Sequence, residues 1–473
     1  MFTKDPYNLN LLKMNKALCL FFFTLFLSLL SSGCSNDLEN EDKSNKDCFN
    51  DTATFRRTVI VYMAAENSLG GYTSNTSCSM ADSAEIVNSA VYMNKYDNVL
   101  MYIDDANESR IYRVCKPTSG QSIRLVKKYD YNQCSSDPQV LQEVLTWSKQ
   151  NYPSASYGLV MWSHGDSWLP SPNTKYPTRS FGIDNNGNGY FNTTKDGEIG
   201  LEMNINDMAR VITASKINLD FIFFDACMMQ SIEVSYELRN ATKYIIGAPC
   251  ITPGIGAYYT SLIKNGFFAY PASDQNISEI AKNYYHAATT MPEYTGYGIV
   301  LSVVKTSELE TLATATKKII EEAISKKASH DMTTIQPYSF YHFKLFYRPE
   351  LFDAASAMKT LLSEASYTEW RKAMDRAVIY KQATPHFYVF NLSLSWPSQS
   401  ILSQCPNYSF CEQINSKNEY YIKPDQDTYC GVSMFVPNQI YTAYADRCLY
   451  GNLNHAFKTT AWYKAAGWEK TGW

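Results

Sequence analysis

The sequence predicts an α/β protein built on a mostly parallel β-sheet with helices on both faces, and two features of its pattern support this. Several short segments are apolar throughout, which is typical of strands buried on both faces of a sheet. Segments with apolar residues at helical spacing lie between them, as crossover connections require. Hydrophobic residues make up 45% of the 473 residues and charged residues 19%, which excludes a mainly disordered chain.

The predicted elements follow one another along the first 335 residues. Six short apolar segments are predicted strands: residues 58–63, 99–103, 157–162, 220–224, 244–248 and 297–304. Four segments are predicted helices: residues 138–150, 201–215, 228–239 and 307–325. A loop rich in Gly, Asn and Pro is predicted over residues 165–200. We therefore assign one α/β domain to residues 55–335.

Residues 336–473 have a different composition, richer in Tyr, Pro, Ser and Asn. We predict a smaller α+β region here, packed on the first domain. It contains Cys405, Cys411, Cys430 and Cys448, which are expected to form one or two local disulfides whose pairing the sequence does not determine.

The N-terminus is predicted to direct export. Lys13 and Lys16 precede an apolar run over residues 17–30, and small residues follow up to Cys34. This is the pattern of a secretory signal, and the run is shorter than the ~20 residues of a membrane span. The Gly33-Cys34 ending resembles the lipobox of bacterial lipoproteins, in which the cysteine carries the lipid; an ordinary cleaved signal is the alternative. We expect a signal peptide over residues 1–34, an acidic tether over 35–54, and a lipid anchor to the bacterial cell envelope, at the outer membrane or the cell surface.

Charge and cysteine usage exclude two classes of site. The net charge of −4 gives no support for nucleic-acid binding. No two cysteines have CxxC spacing, so no metal site is predicted. Without Cys19 and Cys34, ten of the 12 cysteines remain, and an exported protein favours disulfides. If one cysteine stays free for catalysis, nine are left, and at least one more must be a free thiol.

Two predicted strands end next to chemically reactive residues. Residues 157–162 lead into Ser163, His164 and Gly165, and residues 220–224 lead into Asp225 and Cys227. Functional crevices of open parallel sheets lie at the carboxyl ends of the strands, so we expect His164 and Cys227 to meet although 63 residues separate them. Together they form a potential Cys–His nucleophilic site. The imidazole and a helix expected to begin just after Cys227 would both favour the reactive thiolate. Alone, either residue would more simply be a buried small side chain or a turn residue.

Four segments carry a resemblance to a known family: TVIVYMAAENSL (58–69), YGLVMWSHGDSW (157–168), DFIFFDACMMQSIEVSYEL (220–238) and YIIGAPCITPGIGAYY (244–259). They resemble the clostripain family of cysteine peptidases. The resemblance implies a caspase-like fold, a three-layer α/β sandwich, and an endopeptidase acting on proteins or peptides, which the predicted export signal places outside the cytoplasm. It implies that Cys227 is the nucleophile, that His164 is the general acid and base, and that the backbone N–H groups of Gly165 and Cys227 form the oxyanion hole.

The resemblance also implies a substrate preference. Relatives cleave after Arg and some after Lys, and Asp225 matches an acidic residue of their S1 pocket, the pocket that receives the side chain before the cleaved bond. A strand-end Asp that caps the next helix is an equally good interpretation of Asp225. Many relatives carry an acidic residue where this chain has Pro249 and Cys250, so the expected Arg preference is weakened.

The sequence gives partial signals for calcium binding and for activation by self-cleavage, and it leaves two alternatives to a peptidase. Residues 184–189 resemble the start of a calcium loop, but Lys195 stands where the bidentate Glu should be, which excludes an EF-hand. The chemistry needs no cofactor, although Ca²⁺ as a structural or activating ion is known in the family. Relatives activate by cutting themselves at basic residues, and Lys175 and Arg179 lie beside His164 in the sequence. The alternatives are a non-catalytic surface-binding lipoprotein that kept the fold and a different cysteine-dependent acyl transferase; the intact His164 and Cys227 motifs argue against the first.

Overall fold

The structure is a computed structural model, and it describes most of the chain beyond the N-terminus. The described residues are 48–50, 54–71, 77–117, 120–170, 181–185, 192–194, 197–292, 294, 296–325, 332–343, 346–391, 407–414, 419–446 and 451–472. The predicted signal peptide with Cys34, most of the predicted tether, and the positions Lys175, Arg179, Lys195, Cys405 and Cys448 lie outside them.

A nine-stranded sheet forms the centre of the molecule. Its strands are β1 (Phe55–Ala64), β2 (Asp97–Asp104), β3 (Ser109–Val114), β4 (Ile123–Lys128), β5 (Ser154–Trp162), β6 (Leu219–Asp225), β7 (Tyr244–Gly247), β8 (Val300–Lys305) and β9 (Val378–Ala383). Their order across the sheet is β9-β8-β7-β6-β5-β1-β2-β3-β4. The five strands from β7 to β2 are parallel, and the two pairings at each edge are antiparallel.

Helices cover both faces of this sheet. They are α1 (Cys78–Asn88), α2 (Pro138–Asn151), α3 (Ile205–Ser215), α4 (Ile232–Glu237), α5 (Tyr259–Asn265), α6 (Asp274–Thr290), α7 (Leu309–Ser325), α8 (Ala354–Leu361), α9 (Glu364–Ala377), α10 (Ile440–Ala443), α11 (Leu453–Phe457) and α12 (Ala461–Ala465). None of the helices in the described part of the chain is long and apolar enough to cross a membrane.

The alternation of side chains along β1 explains the three layers, because successive residues of a strand point to opposite faces. Ile60 and Tyr62 are fully buried in a core that also contains residues of α2 and α3. Val59 and Val61 are buried in a second core that contains residues of α1 and α6. Each such apolar side chain stabilises the fold by about 1.5–3 kcal/mol. The predicted three-layer α/β sandwich is confirmed.

The six predicted strands all belong to this sheet, but some neighbouring elements differ from prediction. Strands β3 and β4 were not predicted because polar residues interrupt both; β3 is almost entirely buried between β2 and β4, whereas β4 at the edge of the sheet is partly exposed. Residues 201–203 form a short strand instead of the first turn of a helix, and α3 begins only at Ile205. The helix predicted from residue 228 begins at Ile232, where the Ser231 side chain accepts a hydrogen bond from Val234 N.

The region 336–473 does not form a separate unit, because β9 pairs with β8 at the edge of the central sheet. Short antiparallel strands make up much of the rest: Phe340–Phe343 with Phe346–Pro349, Phe352–Asp353 with Ser433–Met434, and Glu419–Ile422 with both Phe387–Asn391 and Cys411–Glu412. Two further short pairs follow β5, Phe181–Asp184 with Leu201–Met203 and Asn192–Thr194 with Gly197–Ile199. The central sheet therefore extends into the predicted smaller α+β region.

Two cysteine positions bear on the sequence predictions. Cys48, inside the predicted tether, forms a disulfide with Cys115 at the end of β3. Arg113 also donates hydrogen bonds to the carbonyls of Cys48 and Phe49, so this end of the tether is fastened to the sheet edge. Cys430 is a buried free thiol beside Asp353 and takes no part in the expected local disulfides. With one cysteine reserved for catalysis, the odd number left predicted at least one further free thiol, and Cys430 is such a thiol.

Candidate active site

The carboxyl ends of β5 and β6 bring the two predicted reactive residues together. The strands are parallel neighbours, with Trp162 opposite Asp225. His164 and Cys227 each follow two residues after this last pair, so both lie just beyond the carboxyl ends of adjacent strands. The backbone N–H of Ser163 still donates to the carbonyl of Asp225, at 3.4 Å, which keeps the two chains side by side at this point.

Gly165 allows the His164 segment to lie directly against the Cys227 segment. A Cβ atom on Gly165 would lie 2.7 Å from the carbonyl oxygen of Cys227 and 2.8 Å from Sδ of Met229, closer than side-chain carbons approach such atoms. Only glycine fits this contact. The Gly165 that follows the histidine in the sequence motif is thus required by the packing between the two segments.

His164 is held by contacts from the ends of two strands. Its Nε2 atom lies 2.9 Å from Oγ of Ser68, which follows β1, and its carbonyl accepts a hydrogen bond from Gly182 N. The preceding residue, Ser163, donates through its hydroxyl to the carbonyl of Ala64 at the end of β1. The imidazole is partly exposed, and the contact with Ser68 fixes its Nε2 edge. The sequence reasoning did not identify Ser68.

The Cys227 thiol is partly buried and contacts a single residue through hydrogen bonds. Its Sγ atom accepts from Thr252 N at 3.4 Å and lies 3.5 Å from Oγ1 of Thr252. Burial raises the pKa of the Cys227 thiol, while the hydrogen bonds from Thr252 lower it. The expected helix start directly after Cys227 is wrong, since α4 begins at Ile232, and no helix dipole favours the thiolate from that position.

Two backbone N–H groups at this point have no acceptor within the described part of the chain. They belong to Gly165 and Cys227. The bridge between Gly165 and Phe181 is closed by Gly182 N donating to the His164 carbonyl, and it does not use Gly165 N. Buried N–H groups are normally paired, so two unpaired ones beside a thiol can serve as donors to a ligand oxygen.

Asp225 is buried two residues before Cys227 and does not cap a helix. Its Oδ2 atom accepts hydrogen bonds from the hydroxyl of Tyr259 at 2.9 Å and from Ala257 N at 3.0 Å. Burial raises the pKa of Asp225 to about 6, although both hydrogen bonds lower it. The helix-cap interpretation is therefore wrong. The Asp225 carboxylate is instead held by donors from the loop after β7 and the start of α5.

The loop after β7 places Cys250 beside the nucleophile segment without exposing it. Cys250 is a fully buried free thiol, and its carbonyl accepts a hydrogen bond from Met228 N at 3.0 Å. Burial raises its pKa to about 12. A buried neutral thiol thus occupies the position at which many relatives are expected to carry an acidic residue.

Within the residues that the structure describes, no group of three or more His, Cys, Asp or Glu side chains could hold a metal ion.

Comparison with known proteins identifies related sequences and structures. The family model of the clostripain peptidases matches residues 61–470. Clostripain of Hathewaya histolytica is 27% identical over 144 residues, a match that covers 29% of this chain and 26% of clostripain. A secreted C11 cysteine protease of Bacteroides thetaiotaomicron, solved with an irreversible peptide inhibitor, superimposes with a TM-score of 0.64 and 27% identity, covering 87% of this chain and 99% of that one. An inactive zymogen C11 protease of Parabacteroides distasonis shares the fold, with a TM-score of 0.63, 24% identity and coverage of 88% and 99%.

Proposed function

This chain belongs to the clostripain family of cysteine peptidases, and from that membership we propose that it is an extracytoplasmic endopeptidase that cleaves proteins or peptides after Arg or Lys. Cys227 and His164 carry the reaction. The observation that supports this most directly is that both residues lie just beyond the ends of the adjacent parallel strands β5 and β6, in segments that contact each other at Gly165. Two fixed backbone segments in contact hold a nucleophile and a base without depending on a flexible loop.

The first half of the reaction forms a thioester. The Cys227 thiol gives its proton to the His164 imidazole, and the sulfur attacks the carbonyl carbon of the bond to be cleaved. The oxyanion that develops accepts hydrogen bonds from the backbone N–H groups of Gly165 and Cys227, which lack other acceptors in the described residues. The His164 imidazolium then protonates the leaving nitrogen, the C–N bond breaks, and the amine product departs.

The second half regenerates the thiol. Water, deprotonated by His164, attacks the thioester carbon, and the same backbone donors stabilise the second oxyanion. When the C–S bond breaks, the sulfur recovers the proton from His164 and the acid product leaves. Burial raises the pKa of the Cys227 thiol and so favours the neutral thiol in the resting protein, and the proposal therefore has the proton move to His164 during attack.

Two further parts of the proposal concern substrate and location. Asp225, buried two residues before the nucleophile, supplies a carboxylate for a basic P1 side chain.

Cys34 carries a lipid that anchors the protein to the bacterial outer membrane or cell surface. Replacing Cys34 with Ala should move the protein from the detergent phase to the aqueous phase in a phase-separation assay; continued partition into detergent would contradict the anchor.

Peptide cleavage tests the proposed activity. Residues 35–473, under reducing conditions, would be assayed with fluorogenic peptides that carry Arg, Lys, Ala or Asp at P1, with Ca²⁺ and with a chelator, before and after limited trypsin treatment. We expect cleavage after Arg or Lys, its loss in Cys227→Ala, and its retention in the matched control Cys430→Ala. Cleavage after Ala or Asp would overturn the specificity, and undiminished turnover by Cys227→Ala would overturn the mechanism. A chelator effect would assign Ca²⁺ an activating role, whereas equal rates would exclude that role.

A further inference from the structure

A second buried carboxylate lies next to Asp225. Asp82 belongs to α1 and is 3% exposed, while Asp225 at the end of β6 is 5% exposed. The two residues are 143 positions apart in the chain, yet both face Gly256 in the loop after β7. A Cβ atom on Gly256 would lie 2.7 Å from Oδ2 of Asp82 and 3.0 Å from Oδ2 of Asp225. The two carboxylates therefore pack against the same glycine, and a side chain at residue 256 would collide with both of them.

Fixed donors hold one oxygen of each carboxylate. Trp162 donates through Nε1 to Oδ2 of Asp82 at 2.7 Å, and Tyr259 and Ala257 donate to Oδ2 of Asp225. Among the described residues, the Oδ1 atoms of Asp82 and Asp225 have no hydrogen-bond partner, and no Lys, Arg or His forms an ion pair with either carboxylate. Each carboxylate is thus oriented by the protein and still has acceptor capacity left.

Without a cation, the raised pKa values favour protonation of at least one of the two carboxyl groups. Burial and the charge of Asp225 raise the pKa of Asp82 well above its usual range, and burial raises that of Asp225 to about 6. Two buried carboxylates near each other are unfavourable when both are ionised, and a cation between them removes the penalty. The arrangement therefore favours a positively charged ligand.

We propose that Asp82 is a specificity-determining residue of the S1 pocket and that the pair Asp82 and Asp225 selects Arg at P1. This inference rests on the proposed peptidase function. A planar guanidinium presents N–H groups in a rigid fork and can donate to two carboxylates at once, whereas the ammonium of Lys is a point charge. Asp82 supplies the second charge from α1, so the pocket keeps two carboxylates although Pro249 and Cys250 follow β7.

A neighbouring carboxylate serves as a matched control. Glu85, one turn further along α1, accepts hydrogen bonds from Tyr259 N at 3.2 Å and Thr260 N at 3.1 Å, the first backbone groups of α5. Its two oxygens are therefore occupied by backbone donors, unlike those of Asp82. Glu85→Gln removes one negative charge from the same helix and leaves both pocket carboxylates in place.

The test compares peptides that differ only at P1: Arg, its neutral isostere citrulline, and Lys. We expect the wild-type protein to prefer Arg to citrulline strongly and to Lys about tenfold or more. Asp82→Asn should lower kcat/KM for Arg peptides about 10- to 100-fold while changing citrulline peptides less than threefold. Glu85→Gln should change the Arg-to-citrulline ratio less than threefold. Thermal unfolding of each variant verifies folding.

The outcomes separate this inference from the proposed function. An active Asp82→Asn variant with an unchanged Arg-to-citrulline ratio would overturn the role of Asp82 and leave the peptidase intact. If that variant does not fold, the wild-type ratio decides, because equal or faster cleavage after Lys would overturn the paired-carboxylate pocket. A wild-type protein that cleaves no peptide would instead overturn the proposed function itself.

Discussion

Replacing Gly165 with Ala tests whether the contact between the His164 and Cys227 segments sets the rate. The added Cβ would lie 2.7 Å from the Cys227 carbonyl oxygen, whereas ordinary contacts of this kind begin at 3.4 Å. The two segments must therefore separate by about 0.7 Å, since the obstructing atom is backbone and has no rotamer to change. Met229, 2.8 Å away through Sδ, is a flexible side chain that can yield.

The shift has separate effects on stability and on rate. Overpacking of this kind costs about 1–3 kcal/mol of folding free energy, or a few degrees in Tm. A displacement approaching 1 Å between reacting groups costs about 100-fold in rate. We therefore expect kcat for an Arg peptide to fall 30- to 100-fold, with a modest loss of Tm, in Gly165→Ala.

Gly120→Ala is the matched control, because Gly120 has a φ of +90° but no atom within 4 Å of its Cβ position. It should lower stability slightly through backbone strain and leave kcat unchanged. Peptide cleavage and thermal unfolding would be measured on both variants. A folded Gly165→Ala variant with wild-type kcat would refute the argument that the packed segments position the catalytic groups.

Three further changes have outcomes that follow from the contacts. Ser68→Ala removes the hydroxyl beside Nε2 of His164 and should lower kcat about three- to tenfold with KM unchanged, while Ser68→Thr restores it; an equal loss in both variants would contradict a positioning role. Thr252→Val removes the side-chain hydrogen bond that lowers the pKa of Cys227, so alkylation of the thiol should shift to higher pH, and an unshifted profile would be evidence against this contact. Burial raises the pKa of Glu233 to about 8, so the folded protein binds this proton more tightly than the unfolded chain and loses stability as pH rises from about 4.5 to 8, at up to about 1.4 kcal/mol per pH unit. Glu233→Gln should flatten that part of the denaturant-derived stability profile, and parallel profiles would contradict the assignment.

The parts of the fold that could be predicted are those with strong local patterns. Strands buried on both faces are apolar throughout, so β1, β5 and β6 stand out in the sequence. Their parallel arrangement then places His164 and Cys227 together without further information. Strands β3 and β4 lack this pattern. Strand β3 contains the buried polar residues Arg110 and Arg113, and the edge strand β4 places residues such as Arg124 and Lys127 against aromatic rings at the periphery.

The remaining parts depend on contacts between distant segments. Ser68, Thr252 and Asp82 are ordinary polar residues in the sequence, and only the folded chain shows that they lie beside the reactive groups or beside Asp225. The late start of α4 also had a local signal, since Ser231 is a good N-cap, but the apolar residues before it suggested a longer helix. Strand β9 could not be assigned to the sheet because its pairing with β8 joins residues about 80 positions apart.

Covalent labelling tests the assignment of the reaction to Cys227 and His164 most directly. Residues 35–473 would be treated with a peptidyl-Arg chloromethyl ketone, digested and examined by mass spectrometry, beside the His164→Ala variant. We expect one inhibitor per chain, attached to Cys227, and labelling at least 100-fold slower in His164→Ala. Attachment to Cys134, Cys250 or Cys430 instead, or equal labelling rates in the variant, would contradict the proposed dyad.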